Sequence, residues 1–320
     1  MKKPNLLYYS PLNFDSQNIS KLSRYFNIIE VEEFSTNIDE ILYNIEVSCA
    51  PLHIYFDKFR MDKSPHLKAI ISNTTGTSHI DINAAKNRKI EVFSLTNEQE
   101  FLSNITSTAE HAFGLILCLL RKIPWSFNSV LNGEWNRFNF GSPSMLSRLS
   151  LGIIGLGRLG SMMATYATAF KMDVNYFDPF NNEKYPNLNR FDSVLSLVKA
   201  SDIVSLHIPS NEKTIGLIDE SVFNSFQDNS IIINTSRGEI IDESALLNAL
   251  KNGKLAGAAL DVLSGEFSPN FRPQDNNLVK YAKSNNNLLL TPHIGGSTED
   301  AWKETQLRVI DKVIEFFHGK

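Results

Sequence analysis

Three chargeable residues follow predicted strands in the second half of the chain, and their side chains suit acid–base and anion-binding chemistry. Arg237 follows the β-rich run "SIIINT", Glu266 follows "AGAALDV" and His293 follows "NLLLT". Histidine exchanges protons near neutral pH, and a guanidinium binds a carboxylate at two points. Taken singly, they could be a surface arginine, a solvated loop acid and a structural histidine. Their common place at the carboxyl ends of successive strands, where ligands bind in α/β sheets, indicates a site.

A glycine-rich stretch in the same half of the chain has the spacing of a dinucleotide-binding turn. Residues 151–160 read "LGIIGLGRLG", a β-rich run that leads through Gly155, Gly157 and Gly160 into a helical pattern. These glycines permit a tight turn, a close approach of the backbone to a pyrophosphate, and close helix–strand packing. The alternative is a tight turn without a ligand. The next strand ends at Asp178, 23 residues after Gly155, where a carboxylate accepts hydrogen bonds from ribose. No arginine follows Asp178 directly, which favours NAD over NADP.

Composition excludes several classes of protein. The chain has 320 residues, of which 42% are hydrophobic and 21% charged, as in ordinary globular proteins. A net charge of −4 argues against sequence-independent binding of nucleic acid. The two cysteines and the absence of a Cys-x-x-Cys pattern predict neither a disulfide framework nor a metal site. The N-terminus lacks the apolar run of a secretory signal, and the longest apolar stretch, at 112–120, is too short for a bilayer, so we expect a soluble, cytoplasmic protein.

The strand and helix patterns predict two α/β domains. In the first hundred residues, β-rich runs are expected at 5–10, 28–34, 52–56, 67–72 and 90–95. A helical pattern starts near residue 104, and further strands are expected at 151–155, 173–177, 202–207, 230–235, 256–262 and 287–291. Strands that alternate with helices favour two doubly wound parallel sheets of the Rossmann or flavodoxin type, with a cleft between the domains. The apolar stripe of the final helix is expected to pack on the first domain.

The order of the motifs resembles the D-isomer-specific 2-hydroxyacid dehydrogenase family over nearly the whole chain. The matching pieces are "TTGTSHIDI", "STAEHAFGLIL", "GEWNR", "LGIIGLGRLG", "FDP", "NTSRGEIIDESAL", "ALDVLSGE" and "TPHIGGST". The resemblance implies an NAD-binding domain over 101–291 and a discontinuous substrate domain formed by 1–100 and 292–320. It also implies hydride transfer between NAD and the carbon that carries the hydroxyl or keto group of a small 2-hydroxy or 2-keto acid.

The resemblance also assigns roles to residues. His293 is expected to exchange the proton with the substrate oxygen, and Glu266 to pair with it and stabilise the imidazolium. Arg237 is expected to bind the substrate carboxylate together with the backbone amides of Thr75 and Gly76. The residues expected around the cofactor are Thr108, Gly155, Gly157, Arg158, Leu159, Gly160, Asp178, Ile208, Pro209, Thr235, Ser236, Asp261 and Gly296. Three further histidines, His79, His111 and His207, are interpreted as structural.

Two departures from the family pattern bear on the substrate. The segment 267–287 is longer than usual, and Phe267 stands where a proline is common, which affects the placement of Glu266. Ser72 stands where members acting on 3-phosphoglycerate carry a basic residue, and no additional regulatory domain follows, so this substrate is disfavoured. Lys58 and Arg60 could nevertheless meet an anionic side group.

Two other functions and one partner are considered. A formate-type dehydrogenase on a related fold would not need the His–Glu pair, and a non-catalytic NAD-sensing protein would not need Arg237, Glu266 and His293 together. A homodimer through the NAD-binding domain is expected because apolar residues are abundant in the segment 105–122 and around Trp135. No nucleic acid or membrane partner is expected.

Overall fold

Two separate sets of hydrophobic clusters divide the chain into two units. The computed structural model of the protein describes residues 2–32, 38–52, 54–181, 183, 185–268 and 270–319. Unit 1 comprises Met1–Ile105, Phe267–Phe271 and Ser297–Lys320, and unit 2 comprises Thr106–Glu266 and Arg272–Gly296. The chain passes between units at 105 and 296, slightly beyond the predicted 100 and 291, and the segment 267–271 lies in unit 1 instead of the range predicted for NAD binding.

The helices and strands alternate along most of the chain. The strands are β1 (Asn5–Tyr9), β2 (Asn27–Val31), β3 (Val47–Cys49), β4 (Ala69–Ile71), β5 (Glu91–Phe93), β6 (Ser150–Ile154), β7 (Asp173–Phe177), β8 (Asn189–Arg190), β9 (Ile203–Leu206), β10 (Ser230–Asn234), β11 (Leu255–Leu260) and β12 (Leu288–Leu290). The helices are α1 (Ser16–Tyr25), α2 (Ile38–Asn44), α3 (Lys58–Asp62), α4 (Ile82–Asn87), α5 (Gln99–Leu102), α6 (Ser107–Leu120), α7 (Ile123–Leu131), α8 (Arg158–Ala169), α9 (Val194–Val198), α10 (Glu220–Ser225), α11 (Glu243–Lys251), α12 (Asn277–Ala282) and α13 (Glu299–His318).

Unit 1 contains a parallel sheet that is covered on both faces. Its strand order is β2-β1-β3-β4-β5. Successive residues of a strand point to opposite faces: Leu7 and Tyr9 of β1 join one buried cluster, whereas Leu6 and Tyr8 join another. The second cluster includes Ile310 and Val313 of α13. The last helix is therefore part of the core of unit 1.

Unit 2 repeats this plan with a larger parallel sheet, in the order β12-β11-β10-β9-β6-β7-β8. Ile231 and Ile233 of β10 pack in the cluster that contains α6 and α8. Ile232, between them in the chain, packs in the opposite cluster with α11. Because helices cover both faces of each sheet, the predicted α/β class with two doubly wound parallel sheets is confirmed.

Two strands differ from the sequence prediction. The third strand of unit 1 is Val47–Cys49 and not 52–56, where Phe56 makes an isolated bridge to Ile80. Residue 53 lies outside the described residues, as do residues 33–34 at the end of the strand predicted at 28–34. A short strand at 189–190, β8, was not predicted.

Helix α6 contains the longest apolar stretch of the chain, and it is buried within unit 2. Ala109, Ala112, Phe113, Ile116 and Leu119 all belong to the cluster that packs on β6 and β10. These side chains therefore pack inside their own unit, and the expectation that the segment 105–122 offers apolar surface to a partner stays a prediction. In the described part of the chain, no helix has the length and apolar character required to cross a membrane.

Candidate active site

His293 and Glu266 are hydrogen-bonded at the carboxyl edge of the unit 2 sheet. The imidazole Nδ1 lies 2.8 Å from Oε1 of the glutamate, and both side chains are largely buried. His293 has a left-handed backbone with φ of 54°, and its amide donates to the carbonyl oxygens of Asp261 and Thr291 at 2.9 and 3.0 Å. A carboxylate on Nδ1 orients the ring and stabilises the imidazolium, which is the arrangement of an acid–base histidine.

The buried carboxylate of Asp261 holds the loop that carries His293. Its Oδ1 accepts from the Thr291 hydroxyl at 2.5 Å and the Ile294 amide at 2.9 Å, and its Oδ2 accepts from the Gly295 amide at 2.7 Å. Burial raises the pKa of Asp261, but these hydrogen bonds and one from His111 lower it more, so the pKa lies below its ordinary value. The ionised carboxylate is thus the favoured form.

Sequence reasoning missed the contributions of His111 and Thr291 to this network. The Nε2 of His111 lies 3.0 Å from Oγ1 of Thr291 and 3.3 Å from Oδ1 of Asp261. The single hydroxyl proton of Thr291 goes to Asp261, so Thr291 accepts a hydrogen bond from His111, whose Nε2 carries a proton. The only sequence signal was their place within the "STAEH" and "TPH" motifs.

Arg237 presents a largely unpaired guanidinium beside this pair. Among the described residues, its side chain makes one hydrogen bond, from Nη1 to the carbonyl oxygen of Ser236 at 2.6 Å, and no salt bridge. Burial lowers the pKa of Arg237, while the negative charges of Glu266 and Glu239 act in the opposite direction. Asn234 fixes the turn by donating to the Arg237 carbonyl oxygen at 2.9 Å. A desolvated cation with unused donors is suited to binding a carboxylate.

The glycine loop of unit 2 connects β6 to α8. Gly155 has φ of 92°, a conformation that other residues rarely adopt. A Cβ on Gly160 would lie 2.1 Å from the carbonyl oxygen of Gly155, so a side chain there would separate helix and strand. Gly157 precedes α8, and a Cβ on it would meet no atom within 4 Å. The open backbone at a helix N-terminus fits the pyrophosphate of a dinucleotide.

Asp178 is held in place by backbone amides. Its Oδ2 accepts from Leu156 in the glycine loop at 2.8 Å, and its Oδ1 accepts from Phe180 and Asn181 at 2.8 and 3.1 Å. Oδ2, which accepts a single hydrogen bond, retains acceptor capacity for a ribose hydroxyl. Because the carboxylate is fixed, it would repel a 2′-phosphate at this position.

The other predicted cofactor residues lie at the carboxyl edge of the same sheet or at helix starts beside it. The hydroxyl Oγ1 of Thr235 is buried and has no hydrogen-bond partner among the described residues, so it could bind a polar group of the cofactor. Of the rest, Arg158 and Leu159 begin α8, Thr108 lies in the first turn of α6, Ile208 and Pro209 follow β9, Ser236 follows β10, and Gly296 ends the segment after β12.

The histidines interpreted as structural differ in their surroundings. His207 bonds through Nε2 to Oγ of Ser205 at 2.8 Å, and burial lowers its pKa to about 4. It is therefore neutral near pH 7, which suits a packing role. His111 joins the Asp261 network described above, and His79 lies in unit 1, hydrogen-bonded to Ser72 at 3.0 Å.

The chain belongs to the D-isomer-specific 2-hydroxyacid dehydrogenase family. The family model described as "D-isomer specific 2-hydroxyacid dehydrogenase, NAD binding domain" matches residues 113–295. This range contains the glycine loop and Asp178, and also Arg237, Glu266 and His293, so unit 2 contains the NAD-binding domain of the family.

Known proteins resemble the chain in sequence and in fold. It is 38% identical over 263 residues to the D-3-phosphoglycerate dehydrogenase of Bacillus subtilis, a match that covers 81% of this chain and 47% of that protein. The chain spans about half the length of the curated relatives it matches. Its fold is similar to that of Aquifex aeolicus D-lactate dehydrogenase complexed with NAD and lactic acid, with a TM-score of 0.83, 26% identity and coverage of 98% and 96% of the two chains. The NAD-dependent formate dehydrogenase of Staphylococcus aureus gives the same four values.

Two alanine substitutions in the glycine loop should separate cofactor binding from folding. Gly157→Ala adds a methyl group that meets no protein atom, so stability should change by less than about 1 kcal/mol. The methyl group would stand where the pyrophosphate is expected to approach the backbone, so the Kd for NADH should rise about tenfold or more. Gly160→Ala should also destabilise unit 2 by about 1–3 kcal/mol because its Cβ overlaps the Gly155 carbonyl oxygen. Urea unfolding and NADH fluorescence titration measure the two effects. Unchanged NADH affinity in Gly157→Ala would contradict the placement of the pyrophosphate.

Proposed function

We propose that the protein is an NAD-dependent dehydrogenase that interconverts a small 2-keto acid and its D-2-hydroxy acid. The observation that carries this proposal is the 2.8 Å hydrogen bond between His293 and Glu266, in the same unit as the partly buried guanidinium of Arg237, which forms no salt bridge among the described residues. Family membership and the NAD-binding domain support the same reaction.

The residues account for the proton and the carboxylate of this reaction. NADH, which the glycine loop and Asp178 would hold, would supply the hydride that C2 of the keto acid takes up in the reductive direction. His293 gives its Nε2 proton to the carbonyl oxygen, and Glu266 stabilises the imidazolium before that transfer. Arg237 binds the substrate carboxylate at two points and keeps C2 oriented. In the oxidative direction, the neutral imidazole would take the hydroxyl proton, and NAD would accept the hydride from C2.

The His–Glu pair favours this reaction over the two alternatives. Oxidation of formate to carbon dioxide transfers a hydride without the transfer of a proton to or from a carbonyl oxygen, so an acid–base pair would have no task in it. A non-catalytic NAD sensor would need neither the pair nor the partly buried Arg237. Similarity to a formate dehydrogenase at 26% identity keeps formate in the substrate panel below.

The relatives support a substrate with a second anionic group. Several curated relatives with 34–38% identity are named D-3-phosphoglycerate dehydrogenase, which opposes the expectation drawn from Ser72. Unit 1 also contains a cation that could bind such a group: Arg60 donates from Nη1 to the Tyr9 hydroxyl at 3.2 Å and has no carboxylate partner among the described residues. We therefore propose a phosphorylated or dicarboxylic 2-hydroxy acid ahead of lactate.

A substrate panel tests the reaction and the substrate class together. NADH oxidation should be measured with pyruvate, 2-ketoglutarate and the 2-keto acid derived from 3-phosphoglycerate, and NAD reduction with formate. We expect turnover of the two keto acids that carry a second anionic group, ahead of pyruvate, and no turnover of formate. We also expect at least about tenfold preference for NADH over NADPH because of Asp178. Turnover of formate alone, or of no compound, would refute the proposal, and equal use of both cofactors would refute the role of Asp178.

Substituting the partner of His293 should change the pH dependence in a defined direction. Glu266→Gln keeps the shape of the side chain and removes the negative charge that favours the imidazolium over the neutral ring. The alkaline limb of kcat/KM for keto-acid reduction, and the acid limb for hydroxy-acid oxidation, should both move to lower pH. As a control, His293→Ala should reduce the rate about 10²–10⁴-fold at every pH. An unmoved profile in Glu266→Gln would show that the pair does not act in the reaction.

We also propose a homodimer formed through unit 2. On α7, Ile123, Phe127, Val130 and Leu131 recur at helical spacing and are 45–67% exposed, and Trp135 beyond the helix is 90% exposed. Such an apolar stripe on a single chain is typical of an interface. Light scattering at micromolar concentration should give twice the chain mass of 36.1 kDa. The Phe127→Asp/Leu131→Asp variant should give the single-chain mass. A single-chain mass for the unmodified protein would contradict the dimer.

A further inference from the structure

The loop after β4, residues Thr74–Gly76, has all three of its carbonyl oxygens bound within unit 1. The Thr74 oxygen accepts from the Leu95 amide at 3.0 Å. The Thr75 oxygen accepts from the Thr96 hydroxyl at 2.7 Å, and the Gly76 oxygen accepts from the Thr74 hydroxyl at 2.7 Å. Each carbonyl of this loop is therefore already held by a donor within unit 1.

The amides of the same loop have the opposite character. Those of Thr75 and Gly76 donate to no acceptor within the residues that the structure describes, and Thr75 is exposed. Two successive amides without protein acceptors can both donate to one anion. Backbone groups of this kind would bind a carboxylate only while the loop keeps its conformation, because the amides have no side chain to redirect them.

A chain of side chains starting at His79 sets that conformation. The Thr74 hydroxyl donates its single proton to the Gly76 carbonyl oxygen. Its Oγ1, 2.7 Å from Oγ of Ser72, therefore accepts a hydrogen bond from the Ser72 hydroxyl. The Ser72 hydroxyl has then used its proton too, and at 3.0 Å from Nε2 of His79 it accepts in turn. Since each hydroxyl has one proton, His79 must be the first donor of the series.

The first two residues of this hydrogen-bonded series are buried, so the direction of their hydrogen bonds is well defined. His79 is 0% exposed and Ser72 is 2% exposed, so water does not compete for them. A second, shorter chain reaches the neighbouring carbonyl: the Ser94 hydroxyl donates to the Thr96 hydroxyl at 2.9 Å, which donates to Thr75. Two sets of hydroxyl groups thus bind the carbonyls of Thr75 and Gly76, and the amides of the same two residues are left for the ligand.

We infer that His79, acting through Ser72 and Thr74, is a positioning residue for the binding of the substrate carboxylate. This inference rests on the proposed function and on the expectation, implied by the family resemblance, that the amides of Thr75 and Gly76 bind that carboxylate. It gives His79 a part in substrate binding beyond the structural one expected from the sequence. The histidine does not touch the substrate; its proton on Nε2 determines which way the hydroxyl groups of the chain point and therefore how the loop is held.

A matched pair of variants at Thr74 tests the inference. Thr74→Val keeps the shape and removes the hydroxyl, whereas Thr74→Ser keeps the hydroxyl. With the holoenzyme and the best keto acid of the panel, Thr74→Val should raise KM about five- to tenfold, the size expected for one lost hydrogen bond, with kcat and the Kd for NADH within about twofold. Thr74→Ser should retain the parent KM. Binding of oxamate, an unreactive carboxylate analogue, to the NADH complex should weaken in parallel.

A second pair at the buried end separates positioning from folding. His79→Met has no donor and should raise KM. His79→Gln keeps an N–H donor near the place of Nε2, so its KM should lie close to that of the parent. Urea midpoints report whether either variant is destabilised. Equal KM and oxamate affinity in Thr74→Val and Thr74→Ser would overturn the inference while the parent enzyme remains active. A parent protein that neither reduces any keto acid nor binds oxamate would instead overturn the proposed function, and the inference with it.

Discussion

The buried carboxylate of Asp261 is the interaction on which the candidate site of unit 2 depends. Burial of a carboxylate is costly unless hydrogen bonds replace its hydration, and here a hydroxyl and two backbone amides do so at 2.5–2.9 Å. The amides come from Ile294 and Gly295, directly after His293. Satisfying the charge therefore requires the chain to curl around it, and this curl gives His293 its left-handed backbone, a conformation kept only where surrounding contacts define it fully.

The groups proposed to bind the substrate carboxylate differ between the two units. In unit 2 the group is Arg237, whose partly buried charge is stabilised by the carboxylates of Glu266 and Glu239 but forms no salt bridge among the described residues. In unit 1 the groups are neutral backbone amides at Thr75 and Gly76. A charged side chain supplies most of the attraction, while amides supply direction. The attraction by Arg237 depends on the desolvation of its charge, and the direction given by the amides depends on a loop whose carbonyls are bound elsewhere.

The cofactor side of unit 2 depends on close packing. Gly160 allows α8 to approach the carbonyl oxygen of Gly155, and Asp178 joins that turn to the end of β7 through the Leu156 amide at 2.8 Å. The predicted ribose acid thus also stabilises the glycine loop. Such dual use explains why strand, glycines, helix and acid occur together: the same contacts that would recognise NAD also form the turn.

Some of this could be predicted from the sequence because its physical basis is local or periodic. Strand and helix patterns alternate, and parallel strands end at one edge, so Arg237, Glu266 and His293 could be assigned to one sheet edge. The pattern failed at 52–56 because "VSC" and "LHIYF" are both β-rich, and only the pairing of β3 with β1 and β4 selects Val47–Cys49. That pairing joins segments distant in the chain, which local propensity does not register.

Only the tertiary structure decided which surfaces and hydrogen bonds these residues use. The apolar residues of α6 and α7 look alike in the sequence, but those of α6 pack in the core of unit 2 while those of α7 remain exposed. His79 and His111 appeared as isolated histidines. The partner of His111 lies 180 residues away at Thr291, and the role of His79 follows from the single proton that each hydroxyl can donate. The sequence determines which groups can bind, because it specifies their chemistry; the fold determines which of them meet, because burial and hydrogen-bond direction arise only when distant segments pack together.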